Sequence, residues 1–274
     1  MATWDFACSE PIDANVSLAS GTVALTAEPT DAITVQVHHG RPSGPGPDDA
    51  DHDQVSRDVT VEFADRHLLV SELPRRGLGW RGKDLHITIT MPTGSRSAVQ
   101  AASADVMCRG EYSAVDIRTA SGKVDVLGTV LGPAEINSMS GMVQLIEAIE
   151  PTVQTASGRI LVRHAIGDVN ARTASGDITI GTADASVTAR TASGRVLVVS
   201  LARGRADLNS VSGDIDVKVV PGTGVFLDLA SVAGRVTSDL VASDQDDGAD
   251  LHLQCRTVSG SVHVARAASA EMAS

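Results

Sequence analysis

Aromatic side chains are nearly missing from this chain. Trp, Tyr and Phe together make up 2% of its 274 residues. That argues against a core packed by rings and against an aromatic platform for stacking bases. Positive charge is scarce too. Lys and Arg number 22 against 34 Asp and Glu, for a formal net charge of −12. Nucleic-acid binding by phosphate neutralisation needs clustered basic residues, so no nucleic-acid partner is expected. No apolar run approaches the roughly 18 residues of a transmembrane helix. The opening MATWDFACSE has neither a basic stretch nor an apolar stretch of signal-peptide type, and the expected location is the cytoplasm. Cys8, Cys108 and Cys255 are odd in number and far apart, which reads as free thiols in a reducing compartment. With 42% hydrophobic residues the chain can nevertheless bury a core.

What the chain has is a repeat. Ser-Gly recurs with glycines at Gly122, Gly141, Gly158, Gly176, Gly194, Gly213 and Gly260, and Ala233-Gly234 is a variant. The steps between successive glycines are 19, 17, 18, 18, 19, 21 and 26 residues. Ala102-Ser103-Ala104 is a degenerate earlier copy, and Ala19-Ser20-Gly21 echoes it. Two residues after each Gly stand Val124, Val143, Ile160, Ile178, Val196, Ile215, Val236 and Val262, all β-branched. Five before stand Ile117, Ile136, Val153, Ala171, Ala189, Leu208, Leu229 and Cys255, with polar residues between. Period-two alternation on both sides of a fixed turn marks half-buried strands. Gly permits a positive φ at the corner, and the Ser hydroxyl is expected to bond nearby backbone.

A unit of about 18 residues cannot bury its own apolar face, whereas stacked units can. The expected fold is therefore all-β: a β-solenoid of about 18-residue turns with an irregular N-terminal β cap. A meander or sandwich of hairpins fits the alternation too, but hairpins need not repeat one turn chemistry. The expected organisation is a cap over 1–98, solenoid repeats over 99–266 and a flexible tail over 267–274. Within the cap, strands are expected at Thr22–Ala27, Ile33–His38, Val59–Phe63, His67–Ser71 and Leu85–Thr90. Loops are expected at Gly40–Gln54 and Pro74–Lys83, and an acidic insertion at Ser243–Asp250.

The run DLHITITMPTGSRSAVQAASADV, with a corner at Met91-Pro92 followed by the TASG units, resembles the bacterial β-strand-repeat family known as "putative adhesins", a domain of unknown function. The resemblance spans about Asp5 to Arg266 and implies a right-handed coil. It brings no catalytic or ligand residues with it. Many members look exported or membrane-tethered. The architecture is also similar to bactofilins, short β-solenoids that polymerise end to end.

Motifs with chemical meaning are few. Gly77–Lys83 (GLGWRGK) fits the dinucleotide pattern GxGxxG and the first seven positions of the phosphate-binding GxxxxGK pattern, but a strand, not a helix, follows, and Asp84 stands where Ser or Thr is needed. It reads as a basic hairpin loop. His38-His39 near Asp48, Asp49, Asp51, His52 and Asp53 lacks a rigid ligand spacing and reads as a solvated acidic loop. No cofactor or metal is expected. Four residues before the glycines runs a stripe of Arg118, Asn137, Gln154, Arg172, Arg190, Asn209 and Arg256. Its four arginines are the candidate docking residues for an acidic partner, set against a plain solvated ladder.

The expected role is a non-enzymatic structural or interaction module that presents polar faces to an unknown protein partner or stacks on copies of itself. A polysaccharide-active β-helix enzyme is the second reading. It needs facing carboxylates, and Asp177 and Asp214 have Arg195 between them. A surface adhesin exported by a route not visible in the sequence is the third.

Overall fold

The computed structural model describes residues 1–40, 55, 57–73, 84–240 and 249–267. The expected loops at Gly40–Gln54 and Pro74–Lys83, including GLGWRGK, lie almost wholly outside these residues, as do most of the acidic insertion and the tail. The chain divides into two compact units, Met1–Gly132 and Pro133–Ser274.

The first unit opens with β1 (Ala2–Ala7), β2 (Asp13–Glu28), β3 (Ala32–His39), β4 (Val59–Ala64), β5 (His67–Glu72), β6 (Leu85–Pro92) and β7 (Ser95–Ser121). The five strands expected here are all present, and β1 is an addition. β2 is the central element. One side pairs in parallel with β7, from Asp13↔Arg96 to Ala27↔Gly110. The other side pairs in parallel with β5 and then with β6. Antiparallel pairs β1–β3, β3–β6 and β4–β5 complete the unit. The β4–β5 hairpin turns on Asp65 and Arg66, both at positive φ. The corner expected at Met91-Pro92 lies two residues later. Both residues are buried at the end of β6, and the chain turns at Thr93-Gly94, where Gly94 has φ 78°.

The division between the units falls within β8 (Val124–Ser140). The second unit continues with β9 (Val143–Ser157), β10 (Ile160–Ala165), β11 (Val169–Ser175), β12 (Ile178–Ala183), β13 (Val187–Ser193) and β14 (Val196–Leu201). It ends with β15 (Gly204–Ser212), β16 (Ile215–Val219), β17 (Val225–Ser231), β18 (Val236–Ser238), β19 (Leu251–Ser259) and β20 (Val262–Arg266). Among the described residues all its pairings are parallel, which decides for the solenoid over hairpins. One ladder runs β9–β11–β13–β15–β19–β17. The other runs β9–β10–β12–β14–β16–β20–β18. Each ladder buries one face. Ile160, Ile178, Val196, Ile215 and Val262 are all 0% exposed, as are Ala171, Ala189, Leu208 and Cys255. Rungs about 4.8 Å apart leave room for small aliphatic side chains in a narrow interior.

The glycines are required chiefly by stacking. A Cβ on Gly158, Gly176, Gly194 or Gly213 would lie 2.0–2.1 Å from the carbonyl oxygen of the corner glycine one layer below. Gly176 and Gly194 are also at positive φ, but Gly158 and Gly260 are not, so backbone conformation is not the common requirement. In the first unit Gly122 meets the Ala104 carbonyl oxygen in the same way, at 2.1 Å. The hydroxyl that serves the corner also differs from expectation. The Ser beside each Gly is solvent-facing in most layers, whereas the residue three before the Gly points inward. The hydroxyls of Thr191, Ser210, Thr257 and Ser231 donate to the carbonyls of Gly176, Gly194, Gly213 and Gly260 at 3.3, 3.3, 3.1 and 2.8 Å. This gives the half-buried corner carbonyls a hydrogen-bond donor from the adjacent layer.

The last two layers are out of chain order. β19 and β20 lie directly on β15 and β16, and β17 and β18 lie beyond them. The corner glycines stack in the same sequence: a Cβ on Gly260 would meet the Gly213 oxygen, and one on Gly234 the Gly260 oxygen. The segment Ser259–Val264, the last repeat in the sequence, is thus an interior layer. Gly194→Ala should lower stability by about 3 kcal/mol, because its methyl group meets a backbone oxygen that cannot give way. Gly222→Ala, with nothing within 4 Å of the added carbon, should cost about 1 kcal/mol from its positive φ alone. Urea unfolding of the two variants checks this, and equal losses would refute the stacking constraint.

Candidate functional site

The register of the second unit converts sequence columns into surface rows. Gln154, Arg172, Arg190, Asn209 and Arg256 stand side by side across β9, β11, β13, β15 and β19. Arg118 belongs to the first unit, where its guanidinium meets Asp116 at 3.1 Å. Arg190 meets Asp207 at 2.9 Å, and Arg256 meets Asp228 at 3.1 Å. Burial works to raise the Asp207 pKa, but hydrogen bonds from Arg190 and Asn209 outweigh it and leave the carboxyl below its ordinary range. Gln254 and then Arg256 do the same for Asp228. Arg172 differs. No carboxylate pairs with it among the described residues.

The reason lies two positions earlier in each strand. That column reads Thr152, Asn170 and Thr188 around Arg172, then Asp207 beside Asn209. The acids that neutralise the other arginines are replaced by neutral polar groups on three successive rungs. Arg172 therefore stands at one end of an open groove. Thr152, Asn170 and Thr188 line its floor, and Glu150 and Asp168 lie at the other end. The Asn170 Oδ1 atom is shielded and has no hydrogen-bond partner.

The column after the glycines alternates in sign. Arg159 lies 4.0 Å from Asp177, and Arg195 lies 3.9 Å from Asp214 and 3.5 Å from Asp216. Asp177 and Asp214 also accept the backbone amides of Arg195 and Ser261, at 3.0 and 2.8 Å. The two carboxylates considered for glycoside chemistry are thus engaged in holding the corners above them.

His38 and His39 do not share a site, because neighbouring strand residues face opposite ways. The His38 ring stacks on His86 at 5.0 Å, while His39 Nε2 lies 3.1 Å from Asp58. The aspartates and His52 expected nearby lie outside the described residues. Among the described residues no group of three metal-ligating side chains is assembled, and all three cysteines are free. Burial pushes the Cys108 thiol up to about 12.

Two features were missed in the sequence. Exposed apolar side chains run along one corner column, where Met139, Val211, Val258 and Val232 are 65%, 55%, 50% and 81% exposed. They occupy the position held by Ala in the TASG units, and reading that column by itself reveals them. The second is His164, whose Nδ1 lies 3.2 Å from Glu147 and whose Nε2 lies 2.9 Å from Asp184. Glu147 and His164 are equally spaced from their corner glycines, so the repeat register already places them on adjacent rungs.

The family model Toastrack DUF4097 matches the chain over residues 14–225 and again over 152–273. A crystal structure of a "putative adhesin" from Bacteroides fragilis is similar at 16% identity and a TM-score of 0.41, covering 96% of this chain and 95% of that one. Another "putative adhesin", from Parabacteroides distasonis, is similar at 14% identity and a TM-score of 0.43, covering 96% of each chain. No curated protein matches.

The His164 contacts have a pH signature. The hydrogen bond with Asp184 is the largest cause raising the imidazole pKa above 6.5, and it and Glu147 together outweigh desolvation. Only the protonated ring can donate from both nitrogens. Its contribution to stability is therefore complete below the unfolded-state pKa and is lost as pH rises through the folded-state value. A titration followed by NMR of the ring should place its pKa above 6.5. The urea midpoint should fall over that rise in pH, and His164→Gln should remove the dependence.

Proposed function

This chain belongs to the Toastrack DUF4097 family, and from that premise we propose that it is a non-enzymatic β-solenoid interaction module that stacks end to end with a second copy of itself. The carrying observation is the outermost layer formed by β17 and β18. Its strands pair on one side with β19 and β20 and, among the described residues, have no strand on the other. Leu227 and Leu229 are half-buried there, whereas their register partners one layer in, Leu253 and Cys255, are 1% and 0% exposed. Val236 is 41% exposed, while its partner Val262 is at 0%. The end layer therefore offers both unpaired backbone and uncovered core.

Edge strands of soluble proteins are commonly guarded by charge, Pro or bulges. The only charged residue of β17 is Asp228, and Gln254 and Arg256 already hold it. β18 has none. The corner column also becomes bulkier towards this end, passing from Ala156, Ala174 and Ala192 to Val211, Val258 and Val232. Unpaired strands, uncovered aliphatic side chains and an apolar corner together suit a partner of the same construction.

Light scattering behind size exclusion over a concentration series tests the reading, with negative-stain images of the same fractions. Mass should grow with concentration, and rods should appear. Val232→Lys and Val236→Lys should keep the wild-type melting temperature yet shift the association to at least about tenfold higher concentration. A strict monomer at every concentration, or variants that associate as well as the parent, would overturn end-to-end stacking.

A further inference from the structure

The groove beside Arg172 is polar in an ordered way along its length. Glu150 and Asp168 stand at one end, and neither carboxylate has a cationic partner among the described residues. Asp168 uses one oxygen to accept the Ser186 amide at 3.1 Å and keeps the other. Thr152, Asn170 and Thr188 lie on adjacent rungs in the middle. Arg172 closes the other end. Asp168 and Arg172 are four residues apart on one extended segment, which separates the charges by about 13 Å. Among the described residues no ion pair neutralises either end, whereas Arg190 and Arg256 in the same column are each paired with an aspartate.

We infer that this groove is a docking site for an extended peptide segment of a partner protein, one with a basic residue four positions from an acidic one and hydroxyl-bearing residues between. In an extended segment, residues at i, i+2 and i+4 share a face and span the same distance as the groove. The acidic residue would meet Arg172, the basic residue Glu150 and Asp168, and the middle hydroxyl the Thr152–Asn170–Thr188 rungs. A polyanionic chain suits the groove less well, because its charges would also run along the carboxylate end. A sugar ring finds no aromatic side chain among the lining residues. The inference is independent of end-to-end stacking, since the groove is on a lateral face.

The probe is a fluorescein-labelled heptapeptide, Gly-Lys-Thr-Thr-Thr-Glu-Gly, titrated with the full-length protein and followed by anisotropy at low salt. Saturable binding is expected. It should weaken about fivefold in Arg172→Gln and to a similar degree in Asp168→Asn, as exposed ion pairs do. It should also weaken with added salt. The control Gly-Lys-Thr-Glu-Thr-Thr-Gly has the same composition with its charges two apart, and it should bind worse than the probe. No saturable binding would overturn the inference. So would equal affinity for the two peptides, an unchanged affinity in Arg172→Gln, or binding of an oligouronate in place of the peptide. Both substitutions are at exposed positions, and unchanged melting temperatures would show that any loss is not unfolding.

Discussion

The close approach of one corner to the next controls this molecule. Gly122, Gly158, Gly176, Gly194, Gly213, Gly234 and Gly260 each face a carbonyl oxygen of the adjacent layer at a distance that no β-carbon can share. Backbone hydrogen bonding sets the rung spacing, the glycines let the corners meet at it, and the spacing brings the inward residues of neighbouring layers into contact. It also creates a shortage, because crowded carbonyls at a tight corner need donors. Thr and Ser hydroxyls of the adjacent layer, each three residues before that layer's own corner glycine, supply them. The TASG unit is thus a steric requirement and a hydrogen-bond requirement met three residues apart, with Ala and Ser outside as the tolerant positions.

The same geometry makes surface chemistry one-dimensional. A residue type repeated at one position becomes a column, and charge on one rung is answered on the next. Arg195 between Asp177 and Asp214 is such a case. Electrostatic individuality then arises only where the repeat is broken. Thr152, Asn170 and Thr188 are such a break, and because of it no carboxylate pairs with Arg172 among the described residues. His164 is another, held by carboxylates from the layers on either side of it.

Much of this was legible before any coordinates. The β-branched residues two after each glycine and the aliphatic ones five before it identify two buried faces, and both ladders follow them. Where the reading fell short, the missing information was tertiary. The two hydroxyls of a corner stand two residues apart, so period two gives both the same face, and the Ser beside the Gly is the expected donor where the hydroxyl three before it serves. β1 lacks turn residues that would announce it, and its partner β3 is defined by pairing across the first unit. The exchange of the last two layers is a matter of stacking order, to which residue type is blind. Yet the steps of 21 and 26 residues among others of 17 to 19 are its trace. A chain that overshoots one layer and returns needs the extra length.

That exchange has a meaning for how the chain is made. β17 and β18 leave the ribosome before β19 and β20, yet in the finished fold the later pair lies between the earlier pair and the rest of the stack. While synthesis is incomplete, the nearest template for β17 is the exposed face of β15, the very place that β19 must occupy. Growth in order of emergence would therefore trap the wrong arrangement. The outer layer can take its final place only once β19 and β20 are present, so the stack is completed from within and not at its end.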